Sequence, residues 1–555
     1  MTRTPRARLG VAAVIVVLAG GAAYWWIGPG RGPGSNRSGL PPHFVDATTA
    51  SGLTHTYDGS SDFAVGAGVA VLDCNDDGRP DLYLAGGERE AQLFRNDSTI
   101  GGALAFTPVH DAATDLTSVN GAYPIDIDGD GHPDLAVLRN GGNRLLRGLG
   151  DCRFADATAA WGLDPGSRHT EAFSATWEAG MDWPTLAFGN YVDSAIPDPK
   201  AWCEPNVLVR PAAPVGGFGP QLALAPSWCT LSMLFSDWDG SGRMDLRVSN
   251  DLHYYPPDVG QEQLWRLAPG EPPRLYGPDD GWVDVEVQGM GIGSYDLTGD
   301  GLPDIYLTSQ AANRLQTLTS GPAHPVYGDI GLKRGVNVAH PFAGPDQALP
   351  STAWHPEFAD VNNDGFIDLF VSKGNVGNQP DYARHDPSNL LLGQPDGTFL
   401  EAADTAGIVT YDRGRGAALA DFNLDGRLDL IEAFYGAPAR IWLNEGQAGE
   451  NAALATAAHW LEIRVRQPGA NVDAIGARIE VQVGDHTYRR EVTIGGGHAG
   501  GQLGWIHFGL GPAEQAKIRV TWPDGTIGPW LDVGADRFGI VDRGAPTIGI
   551  WEPAP

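Results

Sequence analysis

Asp126-Ile127-Asp128-Gly129-Asp130-Gly131-His132-Pro133-Asp134, running straight into Leu135-Ala136-Val137, decides how this 555-residue chain is read. Oxygen-bearing side chains stand at positions 1, 3, 5 and 9, with Gly at position 6. The same register returns as Asp73-Asn75-Asp77-Gly78-Asp81, Asp237-Asp239-Ser241-Gly242-Asp245 and Asp296-Thr298-Asp300-Gly301-Asp304. Two further copies are Asp360-Asn362-Asp364-Gly365-Asp368 and Asp421-Asn423-Asp425-Gly426-Asp429. Carboxylates crowded into one loop repel each other unless a hard cation sits among them, and Gly allows the sharp turn that lets them converge. The pattern predicts six calcium loops, with these 24 residues as ligands.

Position 9 is Asp in every copy and leads into an alternating apolar run such as Leu82-Tyr83-Leu84 or Leu369-Phe370-Val371. The helix-flanked calcium hand requires instead a bidentate Glu at position 12. Each loop therefore feeds a strand. Asp-Gly turns also occur in metal-free hairpins, but six copies in one register favour the metal.

First-position Asp residues are spaced by 53, 111, 59, 64 and 61 residues. The long interval conceals a further unit at Ala175-Thr176-Trp177-Glu178 and Thr185-Leu186-Ala187-Phe188, whose ligand slots hold Trp177, Ala179, Met181 and Thr185. Seven units of this period, each of several short strands, predict a seven-bladed β-propeller in which six blades bind metal. Phe154 to Thr158 closes the second unit and Phe399 to Ala403 the sixth. The same phrase, Phe44 to Thr48, precedes the first loop, so the N-terminal strand is expected to complete the last blade.

With its glycine-rich first strands (Phe63 to Gly68, Val119 to Ala122, Met290 to Gly293, Arg415 to Ala417), the chain resembles FG-GAP/VCBS-repeat propellers of the integrin-alpha type. Ile475-Gly476-Ala477-Arg478, His507 to Gly511 and Val520 to Gly525 resemble an ASPIC/UnbV domain. Propeller plus module is the layout of the cartilage acidic protein family and its bacterial relatives. That resemblance implies calcium at the six loops and assigns no ligand to the module.

Composition agrees with an all-β chain: 76 Gly and 42 Pro against 19% charged residues. The expected layout is an N-terminal helix at 1–27, a tether at 28–42, the propeller at 43–450, a small antiparallel β-sandwich-like module at 451–540 and a tail at 541–555. The net charge is −31, but nineteen Asp residues occupy ligand positions of the loops and six calcium ions would bring it to −19. Such a field argues against nucleic acid as a partner.

Arg3, Arg6 and Arg8 precede an uncharged stretch from Leu9 to Ile27 that ends in Trp25 and Trp26. At ~1.5 Å per residue this nearly spans a bilayer core. The aromatic flank favours an uncleaved anchor over a cleaved signal peptide; both export the body, to the periplasm or cell surface, and confine membrane contact to this helix. Export permits disulfides. Cys203 and Cys229 bracket a loop-rich insertion and are expected to bond, whereas Cys74 with Cys152 stays open between a bridge and free thiols.

No H-E-x-x-H or G-x-S-x-G motif occurs. Dispersed candidates for an axial reaction site are His169 with Glu171, Asp251 with His253, and His355. Two readings follow: a calcium-stiffened scaffold for adhesion or recognition of a protein or glycan, and an exported propeller enzyme. Convergence of Asp251, His253 and His355 in a funnel would favour the second. Trp505, Phe508, Trp522 and Trp530 are expected to pack, with a carbohydrate face as the alternative.

Overall fold

The computed structural model describes residues 40–198, 202–212, 216–251, 261–283, 285, 287–310, 312–337, 351–376, 386–447 and 458–553. The expected N-terminal helix at 1–27 and most of the tether lie outside the described residues. Among the described residues no helix is long and apolar enough to cross a membrane.

The described part is nearly all β. Residues 44–444 form seven antiparallel sheets among the described residues. The second sheet is typical, with strands Val119–Ile125, Asp134–Arg139, Arg144–Gly148 and Phe154–Asp156. The first strand of each sheet lies beside the first strand of the next, and Gly414–Ala420 of the last returns against Val69–Leu72 of the first. The result is a propeller-like ring. Because neighbours cover these inner strands on both faces, Val119–Ile125, Thr170–Thr176 and Thr230–Ser236 are buried along their whole length.

Ring closure follows the repeated outer-strand phrase: Phe44–Asp46 pairs antiparallel with Ala437–Asn444, Phe44 opposite Asn444. In the unit without ligands, Thr170–Thr176 still pairs with Thr185–Asn190. There Glu178 accepts from Thr185 Oγ1 at 2.7 Å and from Arg210 Nε at 2.5 Å, so a guanidinium supplies positive charge at this loop.

Residues 459–551 build two more four-stranded sheets. Their alternating apolar residues, among them Leu461, Ile463, Ile479, Val481 and Ile518, share one core that runs on into the second and third sheets of the ring. Two details differ from the sequence reading. His459–Arg466 pairs in parallel with Arg537–Asp542, because the chain crosses through the other sheet between them. The segment expected as a tail contributes an edge strand, Gly549–Trp551.

Between these two sheets the chain leaves the module and threads the axis of the ring. Isolated bridges join Ala175 to Ile494, Leu234 to Gly495, Ile292 to Gly497, Ala122 to Gly500 and Val71 to Gln502. The run Gly495-Gly496-Gly497-His498-Ala499-Gly500-Gly501 fits because the backbones nearly touch. A Cβ on Gly121 would lie 1.7 Å from the Ala499 carbonyl oxygen, and one on Gly68 1.9 Å from it. Glycine is required on both sides.

Candidate metal centre and its cover

Each loop joins the first strand of its sheet to the second, and its geometry repeats. The first-position Asp accepts the backbone N–H of the sixth-position glycine: Asp73 from Gly78 at 2.9 Å, Asp126 from Gly131 at 2.8 Å, Asp296 from Gly301 at 3.0 Å, Asp360 from Gly365 at 2.8 Å and Asp421 from Gly426 at 2.6 Å. In the fourth unit Asp237 accepts from Gly242 at 3.0 Å. These glycines all have φ between 81° and 92°, the left-handed region that penalises a side chain.

The ninth-position Asp starts the second strand and reaches back to the loop and across to the third strand. Asp81 accepts from Cys74 N at 2.8 Å and Asn96 N at 2.7 Å, Asp134 from Ile127 and Gly148 N at 2.7 Å each, and Asp368 from Val361 N at 2.9 Å and Gly393 N at 2.8 Å. Asp429 does the same with Phe422 and Asn444, and Asp304 accepts from Thr298 N at 2.8 Å. Asp at this position thus ties loop to sheet.

The middle of each loop carries the charge. Asp126, Asp128 and Asp130 offer oxygens that all lie within 4.8 Å of one another. Buried oxygens without a hydrogen-bond partner occur at ligand positions in four loops: Asp128 Oδ1, Asp237 Oδ1, Asp296 Oδ1 and Asn423 Oδ1. A buried acceptor without a donor is costly, and a hard cation satisfies it. The donor set fits calcium. Burial above all pushes Asp126 and Asp237 up to about 7, Asp134 to about 8, and Asp304 and Asp364 to about 6, and neighbouring carboxylates add to the shift at each of them except Asp364. Asp81, Asp360, Asp368, Asp421 and Asp429 move in the same direction for the same reason. Keeping these groups ionised near neutral pH takes a compensating positive charge.

The loops differ in how much of that charge protein supplies. Arg243 forks onto Asp245 at 2.9 Å and Asp239 at 3.3 Å, while Tyr276 and Trp238 also donate to Asp245. Arg147 pairs with Asp128 and Asp130 at 2.7 and 2.8 Å, Arg79 with Asp77 at 3.4 Å, and Arg427 with Asp425. Among the described residues no basic side chain pairs with Asp360, Asp364 or Asp368. The remaining positions expected to carry ligands hold Asn75, Asp77, Asp130, Thr298, Asp300, Asn362 and Ser241.

The terminal module lies on these loops. Arg464 reaches Asp73 Oδ2 at 3.3 Å, and Arg489 reaches Asp296 Oδ2 at 3.0 Å. Arg478 Nη1 donates to Gly301 O at 3.1 Å, Glu491 accepts from Asp237 N at 2.9 Å, and His507 Nε2 meets Asn363 Oδ1 at 2.6 Å. Trp505 Nε1 donates to Gly78 O at 3.0 Å. Sequence reasoning missed this cover. Its legible trace was the glycine-rich run 495–501 facing small residues on the inner strands.

Both disulfides form. Cys203 bonds Cys229, as expected, and Cys74 bonds Cys152, which settles the alternative left open above. Cys74 sits at the second position of the first loop, so the bridge pins that loop to the second sheet. Cys74, Asp81 and Cys152 cluster closely, but sulfurs bonded to each other are not thiolate ligands.

The dispersed polar candidates have separate partners. Asp251 accepts from Tyr191 Oη at 2.7 Å, and burial pushes it up to about 7. His355 Nδ1 accepts from His498 N at 3.1 Å, and His169 Nε2 meets Glu171 Oε1 at 2.6 Å. His253 lies outside the described residues. Phe508 and Trp522 are buried, Trp505 packs edge-on against Phe538 and tilted against Trp551 with centroids 5.1 and 5.3 Å away, and Trp530 lies under Arg519.

Comparison with known proteins agrees with the two-part layout. Residues 73–137 match the FG-GAP-like repeat family, and residues 467–547 match the ASPIC and UnbV family. Cartilage acidic protein 1 of Mus musculus is 26% identical over 177 residues, 29% of this chain and 24% of that protein. The Homo sapiens protein of the same name is 40% identical over 65 residues, 12% of this chain and 10% of that protein. The chain therefore spans a quarter or less of the length of these relatives in matched sequence. Among solved structures, BBS1N in complex with ARL6DN aligns with a TM-score of 0.40 at 11% identity, over 74% of this chain and 99% of that one. An Agrocybe aegerita lectin that recognises non-reducing terminal N-acetylglucosamine aligns with a TM-score of 0.38 at 17% identity, over 69% and 92%.

Proposed function

We propose that this chain is an exported, seven-bladed calcium-binding propeller with a C-terminal β-sandwich module, acting as a rigid scaffold for adhesion or recognition at the cell envelope. The observation that carries the metal reading is the set of buried, partnerless ligand-position oxygens, Asp128 Oδ1, Asp237 Oδ1, Asp296 Oδ1 and Asn423 Oδ1. Calcium bound there ties each loop to the strand that follows it, stiffening the ring rather than taking part in a reaction. Two disulfides support an oxidising compartment, where calcium is abundant enough for weak sites. The N-terminal apolar stretch would tether the body to the membrane. Its partner would be a protein or glycan met by loops on the face away from the module, since loops vary without changing the framework.

The test is thermal melting of the purified body in calcium and after chelation, with direct metal analysis of the same samples. Up to six calcium ions per chain and a higher melting temperature in calcium are expected. A metal-free protein that melts identically in both conditions overturns the reading.

A further inference from the structure

The loop face and the terminal module meet at every metal-competent unit. Arg464 and Trp505 engage the first loop, Glu491 the fourth, Arg478 and Arg489 the fifth, and His507 the sixth. In the second loop a Cβ on Gly129 would lie 2.8 Å from Ala470 Cα, and in the seventh a Cβ on Gly426 would overlap the Trp460 indole at 1.9 Å. The contacts fall mainly on the groups that define the folded loop: its first-position carboxylate, its glycine and that glycine's carbonyl. Asp296 shows the division of labour. Its Oδ2 takes Gly301 N and Arg489 from outside, while its Oδ1 stays buried and partnerless.

We infer that this face is the docking surface for the chain's own terminal module, and that cations in the loops and the axial segment 494–502 are held jointly, so that stripping the ions unseats the segment. The inference rests on the calcium reading. Without cations the clustered carboxylates repel, the loops lose the shape the module reads, and its seat loosens. The axial segment follows because it belongs to the same module and is anchored at both ends by it. Thermodynamic linkage makes the effect reciprocal: whatever unseats the segment weakens calcium binding by the same factor.

Hydrogen exchange of the full chain, in calcium and after chelation, reads this directly. The reporters are Gly496 N, which donates to Met233 O, Gly497 N to Ile292 O and Leu503 N to Val71 O, with the loop amides of Gly78, Gly365 and Gly426 as internal controls. Chelation is expected to speed exchange at the axial reporters about tenfold or more, together with the loops. If calcium is bound and the loop amides respond while the axial reporters stay protected, the joint holding is wrong and the calcium reading survives. If no calcium binds and no amide responds, both fall.

Discussion

The imidazole of His498 lies against the indole of Trp354 at the axis of the ring, their centroids 4.9 Å apart. Nε2 is 2.5 Å from the Val65 carbonyl, so that nitrogen carries the proton, and the His498 backbone N–H donates to His355 Nδ1. Burial drives the His498 pKa down to about 4, helped by nearby Arg415 and His355. A residue of the terminal module thereby becomes part of the ring's own centre.

That depressed pKa predicts a pH dependence. Between the unfolded value of about 6.5 and the folded value of about 4, the unfolded chain binds the extra proton, so His498 stabilises fully above about 6.5 and loses that contribution as pH falls toward 4. His498→Gln is expected to cost ~2 kcal/mol at pH 7.5, with the gap nearly closed at pH 5. Chemical denaturation of both proteins at the two pH values checks this; equal gaps would count against a neutral, buried imidazole.

Gly121→Ala is expected to cost ~3 kcal/mol or more, because the new methyl would collide with Ala499 backbone and the axial segment must leave or the inner strand must shift. Gly534→Ala, where a Cβ meets nothing within 4 Å, is expected to stay within ~0.5 kcal/mol of the parent. Paired thermal melts make the comparison, and similar losses in both variants would show that the close approach is not what demands glycine.

On the calcium reading proposed above, the loops should lose the ion unequally. Asp360, Asp364 and Asp368 pair with no basic side chain among the described residues, whereas Arg243 already neutralises Asp239 and Asp245. Asp364→Asn is expected to remove one tightly held ion and most of one site's contribution to calcium-dependent melting, and Ser241→Ala to leave the count of tightly bound ions unchanged. Metal analysis at limiting free calcium decides it; a loss caused by Ser241→Ala alone would reverse the ranking.

The two disulfides should differ in weight. Cys74–Cys152 closes 78 residues and Cys203–Cys229 closes 26. On chain entropy alone, replacing the first pair by Ala costs ~4.5 kcal/mol and replacing the second ~3.5 kcal/mol, a difference of about 1 kcal/mol. Denaturation of the two double variants in calcium tests the order. An equal cost would mean that strain or residual unfolded structure outweighs loop length.

Much of the architecture could be read from residues close together in the chain. Nine-residue loops with Asp at positions 1 and 9, the apolar alternation after each, and the phrase shared by Phe44, Phe154 and Phe399 specify where strands begin, how often they recur and how the ring closes, because these are local patterns imposed by backbone geometry and ligand spacing. Tertiary structure alone decided the rest. Arg464 lies 391 residues from Asp73, and nothing in the sequence near either residue announces that the two will meet. The axial segment left only a weak sign, since glycine has no side chain to show a period, and its role emerges only when two backbones come close enough to exclude a methyl group. Which carboxylates are neutralised by guanidinium and which are not is likewise set by distances in space, as Coulomb energy is.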